Sequence, residues 1–220
     1  MVKLNICGLR RAEDIEIINK YNIDYGGFVF AKSPRQVSFD NAKEMSSILN
    51  ENIIPVGVFV DEDINFIIDL FSEGIIKIAQ LHGREDEEYI KKLKETTYNK
   101  TGNEIPIINS IEIKDNNIDI LNEKLSKLND SISDYLILDS GKGSGKCFNW
   151  QLVNKENIIQ KPFFLAGGLN SENINLAIRE FNPYAVDLSS GVEKEGFKDE
   201  NKIKEIVKIV NTYNNNTIKD

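Results

Sequence analysis

The sequence predicts a single-domain (β/α)8 barrel, the TIM-barrel class of α/β fold. Three observations carry this reading. Short apolar runs such as IIPVGVFV at 53–60 and YLILD at 135–139 lack the alternation of half-exposed strands, as expected for strands covered on both faces. They alternate with charged, amphipathic stretches, which argues for a parallel sheet with helical crossovers. Eight such units fill 220 residues, a length that suits one closed barrel. A doubly wound open sheet is the alternative, but no strand is followed by the G-x-G-x-x-G fingerprint of that fold. No linker divides the chain, so residues 1–220 are expected to form one domain.

Each unit has its own signals. The first strand is expected at 2–6, followed by a helix opened by Glu13 and Asp14, whose charges suit a helix N-terminus. The second strand, DYGGFVF at 24–30, contains two glycines that suggest close packing or a bulge. Ser38 is a candidate N-cap for a helix over 39–49. Strands at 53–60 and 75–81 are each followed by a helix, at 61–71 and 86–97. A fifth strand at 104–109 precedes a charged helix at 117–128. The sixth strand, 135–139, leads into the glycine-rich loop SGKGSGK and a short helix near Gln151. Strands at 162–166 and 184–188 are followed by helices at 172–181 and 199–213, and the tail NNNTIKD is expected to fray.

Composition narrows the function. Hydrophobic residues make up 40% and charged residues 28% of the chain, with a formal net charge of -8. No long basic run occurs, so neither nucleic acid nor an anionic membrane is an expected partner. No run approaches the ~20 apolar residues of a membrane span, and VKLNIC does not read as a signal peptide. Two cysteines, Cys7 and Cys147, suit a reducing cytoplasm better than a disulfide scaffold. A small-molecule substrate is the expected partner, with a monomer or homodimer as the assembly.

In this fold the active site lies at the C-terminal ends of the strands. Those eight tips carry Cys7, Arg35, Asp61, Gln80 with His82, Asn109, Asp139, the GGLN loop at Gly167 and Gly168, and Asp187 with Ser189, Ser190 and Gly191. The GGLN and SSG loops have the character of a phosphate site, because glycine lets backbone N–H groups approach an anion and a helix N-terminus adds partial positive charge. Tight turns alone would also explain these glycines. Asp139 ends an apolar strand, where desolvation raises a carboxyl pKa and favours a general acid; capping of the next loop is the alternative. Cys7 is a reactive thiol at a strand tip or an inert core residue. His82 is the only histidine, and no second one supports a metal site. SGKGSGKC fails as a nucleotide P-loop, since Ser140 stands at the first glycine position and Cys147 follows Lys146. It reads as a flap after the sixth strand. Phe148 and Trp150 read as core anchors.

Taken together, KLNICGLRRAED, GFVFAKSPRQVS, VGVFVDE, QLHGRE, LILDSGKGSGKCFNW, FFLAGGLNSENI and YAVDLSSGVE resemble N-(5′-phosphoribosyl)anthranilate isomerase of tryptophan biosynthesis, in order from residue 3 to about 203. The resemblance implies an Amadori rearrangement of an aminoaldose phosphate without metal or organic cofactor. It implies that Asp139 is the general acid that opens the ribose ring and Cys7 the general base that removes the C2′ proton. Arg35 would pair with the anthranilate carboxylate, and GGLN and SSG would hold the phosphate. Gln80, His82 and Asp187 are the remaining candidate substrate contacts. The chain departs from the family pattern at Asn109–Ser110, where a lysine and an alanine-like residue are common, and at Asn149, where many relatives have Asp.

Other phosphate-binding barrels rely on metal ligands or a catalytic lysine that these tips lack, and a non-catalytic phosphate binder would need neither Cys7 nor Asp139. The assigned roles contain a tension. They need a thiolate and a protonated carboxyl together, whereas ordinary values, about 8.5 and 3.9, favour the opposite states at neutral pH. Burial would raise Asp139, while helix N-termini and Arg35 would lower Cys7. Either the site shifts both groups or it works through a minor protonation state.

Overall fold

The structure, a computed structural model, describes residues 1–112, 126–139 and 159–217. Strands β1 (Lys3–Cys7), β2 (Tyr25–Val29), β3 (Ile54–Phe59), β4 (Ile78–Leu81), β5 (Ile107–Glu112), β6 (Tyr135–Asp139), β7 (Phe163–Leu165) and β8 (Ala185–Leu188) pair in sequence order as a closed parallel barrel. Closure is made by β1 against β8, in the register Asn5 opposite Asp187. Helices α1 (Ala12–Asn19), α2 (Phe39–Ser47), α3 (Ile64–Ser72), α4 (Glu87–Thr101), α5 (Ile174–Phe181) and α6 (Glu200–Thr217) accompany them.

The strands are apolar throughout because both faces are covered. Leu4, Ile6, Phe28, Phe59 and Leu138 point outward into the layer shared with the helices. Tyr25, Val56, Ile78, Ile108, Ile137, Phe164 and Ala185 fill the barrel interior. Tyr25 and Tyr135 meet the Phe164 ring edge-on, at 5.3 and 5.8 Å between centroids. The Tyr25 and Tyr184 hydroxyls lie 3.0 Å apart at the N-terminal end of the barrel, with the Lys3 ammonium over the Tyr184 ring. This apolar floor leaves only the opposite end open for polar side chains.

Helix starts follow the expected capping chemistry. Ser38 accepts a hydrogen bond from Asn41 N at 3.2 Å, as expected, and Asp63 and Asp86 cap α3 and α4 in the same way. Several boundaries differ from the sequence reading. β5 begins at Ile107, three residues later than expected, because Pro106 has no N–H to give to a ladder. β4 begins at Ile78, since Ile75 and Ile76 still donate to Leu70 O at the end of α3. α6 runs through Thr217, so Asn214–Thr217 do not fray. Asn214 explains this: its side chain accepts from Val2 N at 2.7 Å and donates to Val2 O at 2.9 Å, tying the helix to β1. Of the helix expected at 117–128, residues 126–129 are helical and the rest lies outside the described residues. Lys146, Cys147, Phe148, Asn149, Trp150 and the SGKGSGK flap also lie outside them.

One element was not anticipated. β9 (Glu193–Lys194) and β10 (Phe197–Lys198) form an antiparallel hairpin after β8. Glu195 and Gly196 make its turn with φ of 54° and 80°, the double positive φ of a two-residue hairpin. The dipeptide Glu-Gly between short alternating runs is a weak signal that the sequence does contain.

Candidate active site

Side chains alternate along a strand, so the interior positions are decided by the apolar floor. Continuing inward from Tyr25, Ile78, Ile108, Ile137 and Ala185 toward the C-terminal end leads to Gly27, Gln80, Ser110, Asp139 and Asp187. β1 contributes Asn5 and Cys7 in the same way, through the pairing of Asn5 with Asp187. The barrel therefore changes from apolar to polar about midway, and its upper half collects these residues from six distant stretches of chain. Asn109, the expected tip residue of β5, is on the other face of the strand; the inward residue is Ser110.

Cys7 is a buried free thiol. Gly27 makes room for it: a Cβ there would stand 2.9 Å from both the Cys7 Cα and its Sγ. The glycines of the second strand are thus explained by close packing, not by a bulge. Burial pushes the Cys7 thiol well above the ordinary cysteine range, and the charge of Asp187 pushes in the same direction. Lys198, Arg35 and the Gly8 N–H act oppositely and more weakly. The expected lowering of Cys7 is therefore corrected: desolvation outweighs the nearby cations, and the resting group is the neutral thiol.

Asp139 keeps a quarter of its side chain exposed, 25%, so the enclosure expected from its strand is only partial. His82 Nε2 approaches Asp139 Oδ2 at 3.5 Å. Asp187 is recessed beside Cys7 and accepts a hydrogen bond from Asn5 Nδ2 at 2.7 Å. Burial and the charge of Asp139 raise it to about 7. Asp187 thus senses both Cys7 and Asp139, which places it electrostatically between them. Four polar atoms around this interior, Asn5 Oδ1, Gln80 Oε1, His82 Nδ1 and Ser110 Oγ, are buried without a hydrogen-bond partner among the described residues. Buried polar groups are ordinarily satisfied, so these orphaned atoms mark a lining built to meet a polar guest. Among the described residues, no three His, Cys, Asp or Glu side chains come close enough to share one metal ion.

The raised Asp187 carboxyl has a consequence for stability. The folded protein holds this proton at pH values where the unfolded chain, with an ordinary value of 3.8, has lost it. Stability therefore falls as pH rises from about 4 through 7. Asp187→Asn removes this titration without changing shape. Denaturant midpoints are expected to match wild type near pH 4 and to show the variant more stable at pH 8, by up to about 4 kcal/mol. Identical pH dependence in the two proteins would contradict the assignment.

Arg35 enters from the loop after β2. Its stem crosses Gly8 so closely that a Cβ there would lie 2.5 Å from Arg35 Cδ, and Gly8 has φ of 83°. The guanidinium is held by a residue that sequence reasoning missed. Nε and Nη2 donate to Glu193 Oε1 and Oε2, both at 2.7 Å, a bidentate pair. Glu193 Oε1 also accepts from Lys198 Nζ at 2.8 Å. The pairing with Glu193 keeps Arg35 charged and holds the Glu193 carboxyl below its usual range despite its burial.

The GGLN and SSG loops pack against each other at the β7–β8 corner. Gly167 and Gly168 have φ of 90° and 67°. A Cβ on Gly191 would stand 1.8 Å from Leu169 O, so only glycine permits this contact. Asn173 accepts from Asn170 N at 2.9 Å and donates to Gly168 O at 3.0 Å, fixing the first loop at the start of α5. Asp61, in contrast, is not brought into the mouth. It binds Arg84 through backbone N at 2.7 Å and side-chain Nε at 3.0 Å, which lowers its carboxyl pKa.

Comparison with known proteins gives this geometry a family. The model for "N-(5′-phosphoribosyl)anthranilate (PRA) isomerase" matches residues 4–209. The chain belongs to the N-(5′-phosphoribosyl)anthranilate isomerase family. It is similar to the family member of Clostridium acetobutylicum, 44% identical over 214 residues, covering 97% of this chain and all of the relative. The member from Endomicrobium trichonymphae is 43% identical, covering 96% of this chain and 98% of its own. Among solved structures, phosphoribosylanthranilate isomerase from Thermotoga maritima superposes with a TM-score of 0.82 at 33% identity, over 96% of this chain and 100% of that one. A family structure in complex with reduced 1-(o-carboxyphenylamino)-1-deoxyribulose 5-phosphate gives a TM-score of 0.80 at 32% identity, with the same coverage. Family membership and the closed barrel agree with the sequence reading. The Glu193–Lys198 pair and the inward Ser110 are what that reading lacked.

Proposed function

We propose that Cys7 and Asp139 act as general base and general acid in the rearrangement carried out by this family. The reaction of this isomerase is the Amadori rearrangement of N-(5-phospho-β-D-ribosyl)anthranilate to 1-(2-carboxyphenylamino)-1-deoxy-D-ribulose 5-phosphate, in L-tryptophan biosynthesis. In the proposed sequence, Asp139 gives its proton to the ring oxygen, the C1′–O bond breaks, and a protonated Schiff base forms between C1′ and the aniline nitrogen. Cys7 then takes the C2′ proton, and the electron pair of that C–H bond becomes the C1′–C2′ double bond of an enolamine. Tautomerisation yields the ketone at C2′.

The observation that carries this reading is the convergence of Cys7 and Asp139 on one polar barrel mouth, with Asp187 in electrostatic reach of both. A neutral Cys7 does not defeat it. A thiol with an ionised Asp139 and a thiolate with a protonated Asp139 hold the same number of protons, so the active form is an internal proton redistribution. The iminium charge beside C2′ favours the thiolate as the proton moves. Arg35 is proposed to take the anthranilate carboxylate and the Gly167–Gly168 and Ser189–Gly191 backbone the phosphate, with Gln80, His82 and Asp187 facing the sugar.

All the groups named come from one chain, which fits a monomer or a homodimer with complete sites. One family member, from Thermotoga maritima, is described as dimeric. A reducing cytoplasm would keep Cys7 a thiol. No helix among the described residues is long and apolar enough to cross a membrane. Purified protein is expected to abolish the fluorescence of phosphoribosylanthranilate and to rescue a tryptophan auxotroph lacking this step. Soluble protein that does neither would contradict the reading.

A further inference from the structure

We propose that the β9–β10 hairpin is a positioning clamp for Arg35, in which Glu193 holds one edge of the guanidinium so that its other edge faces the substrate's aromatic carboxylate. The inference rests on the reading that Arg35 meets that carboxylate. The hydrogen-bond inventory supports it. An arginine fork has five N–H donors. Glu193 consumes the Nε and one Nη2 donor, and Nη1 makes no hydrogen bond among the described residues. The Nη1–Nη2 edge is therefore left for a second carboxylate, in the same bidentate geometry.

The clamp is anchored more firmly than a surface ion pair. Lys198 has a side chain with 0% exposure and Glu193 one with 8%, while Arg35 keeps 30%. Exposure thus increases from the anchor to the working end. Lys198 Nζ also donates to Ser189 O at 3.1 Å, so the hairpin is tied to the loop after β8. Glu193 and Lys198 face each other as a pair in the β9–β10 register, which fixes their separation locally. The tip is held by Arg10, which donates to Gly196 O and, at 2.8 Å, to Pro34 O in the Arg35 loop. Phe197 lies under both the Arg10 and Arg11 guanidinium groups, at 4.3 and 3.9 Å. The loops after β1, β2 and β8 are thereby locked to one another around Arg35. Two cations and one anion leave the cluster a net positive charge, as a site for a carboxylate requires. Without Lys198, Glu193 would cancel the charge of Arg35.

Glu193 and Lys198 are positioning residues in this account, acting through Arg35. The test compares wild type, Glu193→Gln, Lys198→Met and Arg35→Gln on two substrates, N-(5′-phosphoribosyl)anthranilate and its decarboxylated analogue N-(5′-phosphoribosyl)aniline. Glu193→Gln is expected to raise KM for the carboxylated substrate by about ten- to a hundredfold, with kcat held within about threefold. It should change kcat/KM for the aniline analogue by less than about threefold. Lys198→Met should show the same substrate selectivity with a smaller change. Equal losses on both substrates, or no loss on either, would overturn the clamp. If Arg35→Gln itself fails to distinguish the two substrates, it is the Arg35–carboxylate reading that falls. If Arg35→Gln distinguishes them and Glu193→Gln does not, the clamp alone falls.

Discussion

Asp139→Asn is expected to lower kcat/KM by about 10²- to 10⁴-fold while leaving the fold in place. The substitution keeps the shape of the side chain and removes only the proton it can give. A quarter of Asp139 is open to solvent, so little packing is at stake. An amide still donates hydrogen bonds to a ring oxygen but transfers no proton, so ring opening loses its acid. His82, 3.5 Å from the Asp139 carboxylate, is the nearby group that could hold its charge or orient it. Initial rates by substrate fluorescence, with a thermal melt on the same sample, measure both halves of the prediction. Near-normal rates in Asp139→Asn would remove it from the acid role.

Cys7→Ser is expected to cost as much, again about 10²- to 10⁴-fold. Serine is slightly smaller than cysteine and keeps its shape in the seat against Gly27, so the fold should tolerate it. Its hydroxyl is a far weaker acid than a thiol, and the burial that raises Cys7 would act on it too. The chemical state of Cys7 itself is also open to measurement. Because burial and Asp187 raise its pKa, alkylation of the free enzyme should be slow at pH 7 and accelerate only above the ordinary cysteine value of about 8.5. Fast alkylation at pH 7 would mean that the cations of the Arg35 cluster outweigh burial, contrary to the structure described above.

The barrel was readable because its signal is repeated: strands such as IPVGVF, and YLIL ahead of the terminal Asp139, are apolar without alternation, and only two covered faces explain that. The tips followed from the fold, since strand ends are where this architecture places polar residues. Cys7, Asp139 and Asp187 could be named on that ground alone. What the sequence could not supply was the depth and the facing of each tip. Whether Asn109 or Ser110 points inward depends on where β5 begins, and Pro106 moves that start. How strongly a carboxyl is perturbed depends on packing across the barrel, and the raised carboxyl of Asp187 could not be foreseen from its strand. The partner of Arg35 lies 158 residues away in a hairpin of two-residue strands, too short to carry a periodic pattern. Glu193 and Lys198 were visible only as charges in GVEKEGFKD until the barrel closed around them.

The division of labour between Cys7 and Asp139 is tested most directly by the kinetic isotope effect of substrate deuterated at C2′, compared among wild type, Cys7→Ser and Asp139→Asn. Deuterium slows only the step in which the C2′–H bond breaks. If Cys7 removes that proton, Cys7→Ser makes the step more rate-limiting and the isotope effect rises above that of wild type. If Asp139 opens the ring beforehand, Asp139→Asn makes ring opening limiting and the effect falls toward unity. A fall in Cys7→Ser, or a rise in Asp139→Asn, would contradict the assignment of base and acid to these two residues.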